Sequence, residues 1–199
     1  MTLPQHLSKS FWWGTPENII KAARETMGSI DLDPASCARS NEIVKAKTFF
    51  DIERNGFTAV WDGNVFLNPP GGKCDKHGMP SEDNSGQSAT KAWWFKLASE
   101  WKLGHVSHAI FLGYSVEILQ TTQVDTPEID GKRLPIPLDF PLCFPSRRIS
   151  FLNEENKAVC GNTHASVVVF LPGIGRDLDY PLVVRRFKKK FREIGRCIG

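Results

Sequence analysis

Nowhere in this chain do apolar residues run on long enough to span a bilayer, which excludes a membrane-crossing helix of ordinary length. The opening Met1-Thr2-Leu3-Pro4 lacks the charged and apolar regions of a signal peptide, so a soluble cytoplasmic protein is expected. Cysteine is sparse and odd in number. The five residues, at positions 37, 74, 143, 160 and 197, are scattered, so a disulfide framework is not expected and reduced thiols are. No serine-histidine-acid arrangement and no Gly-rich phosphate loop occur, which argues against a serine hydrolase and against a nucleotide triphosphatase. Internal repeats and linker-like stretches are also missing. With 199 residues and 41% hydrophobic content, the chain reads as one domain over 1–199 with enough apolar mass for a full core.

Net charge is small, +3, but its placement is uneven. Arg185, Arg186, Lys188, Lys189, Lys190, Arg192 and Arg196 crowd the C-terminus, where a basic helix over about 182–197 is expected, with Val184, Phe187, Phe191 and Ile194 as its apolar stripe. The chain also carries six tryptophans. A basic cluster with spare aromatics suits a nucleic-acid partner. A solvated helix face is the plainer reading of such a charge run.

The periodicity alternates strands with helices. Thr15 is placed to cap a helix that begins at Pro16 and carries Ile19, Ile20, Ala23 and Met27 on one stripe before Gly28. Ile30–Asp33 reads as a short strand closed by Pro34-Ala35, and Thr48-Phe49-Phe50 as a second. Val65-Phe66-Leu67 is a buried strand, and residues 71–91 form a long polar loop. A helix with Trp93, Trp94, Leu97 and Trp101 follows, then a strong strand over Val106–Gly113. Residues 135–145 are proline-rich and read as irregular, while Arg148–Phe151 and Ser166–Leu171 are expected to pair as an antiparallel hairpin. The pattern predicts an α/β protein with a largely parallel sheet.

The chemistry concentrates at Asn68-Pro69-Pro70-Gly71, directly after the strand 65–67. Ligands of α/β sheets bind beyond the carboxyl ends of strands. The amino nitrogen of adenine is a poor nucleophile because its lone pair is conjugated into the ring. Two acceptors, one per N–H, free that pair. The Asn68 side-chain oxygen is one such acceptor, and the Pro69 carbonyl, held by two successive prolines, is the other. A rigid turn is the bland alternative for the same four residues.

Thr15-Pro16 before a helix, Asp31-Leu32-Asp33-Pro34-Ala35 with Asn41 after it, Trp61-Asp62-Gly63, Asn68-Pro69-Pro70 and Arg148-Ile149-Ser150-Phe151 together resemble the phage-type DNA N6-adenine methyltransferases, from about Trp13 to about Leu171. The resemblance implies a Rossmann-like sheet with a C-terminal antiparallel hairpin, S-adenosylmethionine as cofactor, and double-stranded DNA as partner. It assigns Asn68, Pro69 and Pro70 to catalysis. Asp33, Pro34 and Ala35 would hold the methionine part of the cofactor, with Thr15 and Pro16 closing over it. The family's aromatic after the two prolines, which stacks on the flipped base, is Gly71 here, so Trp93, Trp94 and Trp13 become the candidates for a substitute ring. The usual Gly-x-Gly after Asp33 is absent too. Arg147, Arg148, Arg186 and Lys189 are candidates for phosphate contact. Methylation of RNA bases or glutamine side chains, and a non-catalytic fold that binds DNA or another partner, remain open alternatives. Cys74-x-x-His77 and Cys160-x-x-x-His164 have zinc-like spacing but sit on different loops, and no metal is expected.

Overall fold

The computed structural model describes residues 13–159, 164–175 and 178–199. Its elements are, in order, α1 (Glu17–Met27), β1 (Leu32–Asp33), α2 (Ala38–Val44), β2 (Thr48–Phe49), β3 (Gly63–Leu67), β4 (Lys73–Cys74), β5 (Gln87–Ser88), α3 (Ala89–Lys102), β6 (Val106–Gly113), α4 (Ile118–Thr121), β7 (Glu128–Ile129), β8 (Lys132–Arg133), a 3-10 turn (Pro137–Asp139), β9 (Leu142–Pro145), β10 (Val167–Leu171), α5 (Tyr180–Phe191) and β11 (Gly195–Ile198). Seven strands form one mixed sheet in the order β11-β9-β10-β6-β3-β1-β2. β2, β1, β3 and β6 are parallel, whereas β10 runs antiparallel to both β6 and β9. The expected α/β class and mostly parallel sheet are what the chain adopts. Among the described residues no helix is long and apolar enough to cross a membrane.

Alternation along the strands builds two core layers. Val65, Leu67, Ala109, Phe111, Val167 and Val169 face α3, whose Trp93, Trp94 and Leu97 cover them. Phe66, Ile110, Leu112, Val168 and Phe170 face α1 and α5, meeting Ile19, Ile20, Ala23, Phe187 and Phe191. Phe170, Phe187 and Phe191 stack in series, with ring centroids 5.2 and 4.8 Å apart. Burial of each such ring contributes roughly 2–3 kcal/mol.

Several local expectations change. Helix α1 starts one residue later than expected. Pro16 is its N-cap in extended conformation and no side chain caps it, so Thr15 does not play that part. The interval 71–91 is not a bare loop: β4 and β5 pair within it, and Ser88 caps α3 by accepting from the Lys91 N–H. The strand that pairs with β10 is β9, inside the proline-rich interval, rather than Arg148–Phe151. The Pro145 ring ends β9 where it needs no donor, so the prolines delimit the strand instead of preventing it. Residue Leu152 forms an isolated bridge with Gly14 instead.

The C-terminal helix also stops early, at Phe191, because the chain reverses into the edge strand β11. Only glycine lets β11 begin this close to β9, since a Cβ on Gly195 would lie 1.9 Å from the Phe144 carbonyl oxygen. Residues expected to lie on a helix up to 197 therefore include an edge strand.

Candidate functional site

The chain passes from β1 to β2 on one side, then returns to lay β3 on the other side of β1. The strand order reverses between β1 and β3, and the loops at their carboxyl ends diverge there. Those two loops are Pro34–Ser36 and Asn68–Gly72. The sheet thus brings the Asp33-Pro34-Ala35 and Asn68-Pro69-Pro70 segments to one crevice, although 35 positions separate Asp33 from Asn68 in sequence.

Asn68 is the polar centre of this rim. Leu67 belongs to the α3 layer, so alternation turns residue 68 toward the α1/α5 side. Its Nδ2 donates to the Trp13 carbonyl at 2.7 Å. A carbonyl only accepts, so the amide orientation is set, and Oδ1 is left as an acceptor. Pro69 and Pro70 are buried beside it, and no described residue donates to the Pro69 carbonyl. Trp13 is itself held, because Gly14 exchanges two backbone hydrogen bonds with Leu152, at 2.9 and 2.7 Å. Thr15, only 4% exposed, and Pro16 follow at once, so the N-terminal segment lies against the catalytic-loop candidate.

Asp33 ends β1 and is buried. Burial drives its carboxyl up to about 7, against weaker opposing help from Ser36 and from the Ala35 N–H at 3.3 Å. The Ser36 hydroxyl lies close by but completes no hydrogen bond of ordinary geometry, and it too is buried. A buried carboxyl bonded to the Ala35 N–H and an unbonded hydroxyl therefore sit together at the carboxyl end of β1. Asp31, two residues earlier, has the opposite fate. Burial raises it, but Lys47 at 2.7 Å, the Asn64 N–H at 2.8 Å and Ser29 at 3.0 Å together hold it below the usual range.

Beside Asp33 a shallow apolar depression, open to solvent, is walled by Pro34, Ala35, Phe50, Met79, Pro70 and Trp93. It joins the loops after β1, β2 and β3. Gly56 forms part of its wall, and a Cβ there would stand 2.0 Å from the Pro34 carbonyl oxygen. Gly56→Ala is therefore expected to displace the 34–36 loop and to destabilise the protein by about 1–3 kcal/mol, measured by denaturant unfolding. An unchanged midpoint would show that the two loops are not held this tightly.

Trp93 and Trp94 do not meet Asn68. Trp93 is buried against Phe57 and Trp61, with ring centroids 5.3 and 6.3 Å away, and Trp94 against Phe111 and Phe140 at 5.1 and 6.0 Å. Their indole N–H groups bond the Gly78 and Pro135 carbonyls. Trp94 is fully enclosed in the α3 layer, which corrects its assignment as a stacking ring, whereas Trp93, in the same layer, lines the depression with Pro34, Ala35 and Pro70. Tyr114, the first residue after β6, packs against the α1/α5 layer, as does Trp13. The Tyr114 ring meets that of His164 edge-on at 5.1 Å.

Arg147 and Arg148 leave the carboxyl end of β9 and are exposed. β9 runs parallel to β6, so they stand on the same rim as Asn68. Arg186 instead donates to the Thr26 carbonyl at 3.4 Å, in the last turn of α1, toward the opposite rim. Lys190 is paired with Glu25 at 2.9 Å, while Lys189 is exposed. Among the described residues no group of three or more His, Cys, Asp or Glu gathers around a metal-sized space. Cys74 is buried whereas His77 is not, and Cys160 lies outside the described residues. Compared with protein-family models, with curated proteins and with solved structures, the chain matches none of them.

Proposed function

We propose that this protein is an S-adenosylmethionine-dependent DNA adenine-N6 methyltransferase. The observation that carries the reading is Asn68. Its amide is anchored by the Trp13 carbonyl so that Oδ1 faces away as an acceptor, beside the Pro69 carbonyl, at the switch point of a doubly wound sheet. The antiparallel β10, inserted between the parallel β6 and β9, supports a Rossmann-like methyltransferase arrangement.

The residues present fit the cofactor. The buried Asp33 carboxyl, which accepts the Ala35 N–H, and the unbonded Ser36 hydroxyl beside it suit an ammonium group. When bound, S-adenosylmethionine supplies an electrophilic methyl group. Asp33 binds the cationic end, and Pro34 and Ala35 shape the floor beneath it. Asn68 Oδ1 and the Pro69 carbonyl accept the two N–H bonds of adenine and release the nitrogen lone pair for attack. Preorganisation by the two prolines and by Trp13 means that little reorganisation accompanies the reaction. The excess proton leaves to solvent after the new bond has formed, so no strong base is needed. Tyr114 offers the aromatic face that Gly71 lacks, on the side of the sheet that Asn68 uses. Arg147 and Arg148 on the rim provide phosphate contacts that position the duplex.

The test is exposure of unmethylated DNA to the purified protein and S-adenosylmethionine, followed by sequencing that maps N6-methyladenine. Modified adenines in a shared sequence context are expected, and none at all would overturn the reading. In the same assay Tyr114→Ala is expected to lower kcat/KM by about 10–100-fold through lost base stacking, while Tyr114→Phe keeps most activity. Equal rates for wild type and Tyr114→Ala would remove Tyr114 from the site.

A further inference from the structure

We propose that Cys143 and Cys197 are a peroxide-sensitive pair that closes a cross-strand disulfide between β9 and β11. The inference does not depend on the enzymatic reading. The two residues stand directly opposite one another in the antiparallel pair, in the register Gly195↔Pro145, Arg196↔Phe144, Cys197↔Cys143, Ile198↔Leu142.

The hydrogen-bond pattern identifies the kind of pair. The Ser146 N–H donates to the Ile194 carbonyl at 2.9 Å, which makes 146/194 a hydrogen-bonded position. Antiparallel positions alternate, so 145/195 is non-bonded, as a proline without an N–H requires, and 143/197 is non-bonded as well. At non-bonded positions the Cα atoms approach to about 4.5 Å and the side chains lie closest, within the span that a disulfide bridges. Both side chains project to the same face. The Cys143 Sγ lies 3.7 Å from the Phe191 carbonyl and the Cys197 Sγ 4.0 Å from the Lys188 carbonyl, one turn apart on α5.

The two thiols differ in a way that orders the chemistry. Cys143 is fully buried, while Cys197 is partly exposed on the edge strand. A hydrogen bond from the Cys143 thiol, helped by the Lys188 charge, favours the Cys197 thiolate against its own burial. The thiolate is the nucleophile. Cys197 attacks the peroxide, an S–O bond forms, the O–O bond breaks, and hydroxide leaves. Cys143 then gives up its proton and attacks the Cys197 sulfur; an S–S bond forms, the S–O bond breaks, and water leaves. Two thiols lose two electrons and one peroxide gains them. The product ties the strand that leads into Arg147 and Arg148 to the tail that follows the basic helix.

The experiment treats the full chain with equimolar hydrogen peroxide, blocks remaining thiols after unfolding, and maps peptides without reduction. A single 143–197 link is expected, reversed by dithiothreitol, with the unfolding midpoint raised by roughly 5–10 °C in the linked form. Cys197→Ser should leave Cys143 as a free thiol at the same dose. Cys143→Ala should let Cys197 run on to sulfinic acid. Wild-type protein in which Cys197 reaches sulfinic acid while Cys143 stays free, or in which Cys197 links to another cysteine, would overturn the proposal. So would a pair left wholly reduced.

Discussion

Replacing Asn68 by alanine is expected to lower kcat for adenine methylation by about 100–1,000-fold, the usual loss when one preorganised group at a reacting centre is removed. The affinity for S-adenosylmethionine should change little, because Asn68 stands at the β3 end of the crevice and Asp33 at the β1 end. The variant loses two things at once: the Oδ1 acceptor and the hydrogen bond from Nδ2 to the Trp13 carbonyl. The second loss costs about 1 kcal/mol of local order, well short of unfolding. Asn68→Asp separates them. It keeps an acceptor but sets a carboxylate against the Trp13 carbonyl, so an intermediate loss is expected. Single-turnover kinetics on methylatable DNA, with near-ultraviolet circular dichroism to verify folding, provides the measurement. A folded Asn68→Ala protein that methylates at the wild-type rate would remove the amide from the chemistry.

Asp33→Asn is expected to act in opposite directions on stability and on binding. In the free protein burial raises the Asp33 carboxyl from its ordinary 3.8 to about 7. The folded state then holds its proton where the unfolded chain has already released it. The contribution of Asp33 to stability is therefore greatest below about pH 4, falls as pH rises toward 7, and is flat above that, while lowered carboxyls such as Asp31 contribute with the opposite sign at low pH. Asparagine removes this dependence. At pH 8 the variant should be more stable than wild type by up to roughly 4 kcal/mol, the linkage value of the full shift. The same change removes the charge that faces the ammonium group, and S-adenosylmethionine affinity should fall by about 30-fold or more. Wild-type affinity should rise with pH up to about 7 and release a proton on binding below that. Thermal melts across pH and calorimetry in two buffers of different ionisation enthalpy measure both effects. A variant that is less stable than wild type at pH 8 yet binds equally well would contradict the role given to Asp33.

Both variants rest on a proposed site that was partly legible before folding was considered. The Asn-Pro-Pro element after an apolar run marks a strand end by local rules alone, as does Asp33-Pro34. The ring proposed to stack on the base was not legible. Trp93 and Trp94 are neighbours in sequence and conspicuous, but which face of the sheet α3 covers is a property of the whole sandwich. Tyr114 carries no local motif at all. The hairpin was misplaced for a related reason. Arg148–Phe151 has the better strand composition, yet the ladder to β10 forms at Leu142–Pro145, where Gly195 lets the C-terminal strand pack against β9 from the other side.

What the sequence determined by itself is the order of elements and the identity of the loops that end β1 and β3, because prolines, asparagine and apolar periodicity act over a few residues. The tertiary structure alone decided how each group behaves. Asp31 and Asp33 share one short segment, but Lys47, Asn64 and Ser29 converge on the first, whereas the second lies under the core with an idle serine hydroxyl. Cys143 and Cys197 became neighbours only when the last strand closed the sheet edge. Charge, burial and reactivity depend on partners tens of residues away, and only the packed chain brings those partners within hydrogen-bond reach.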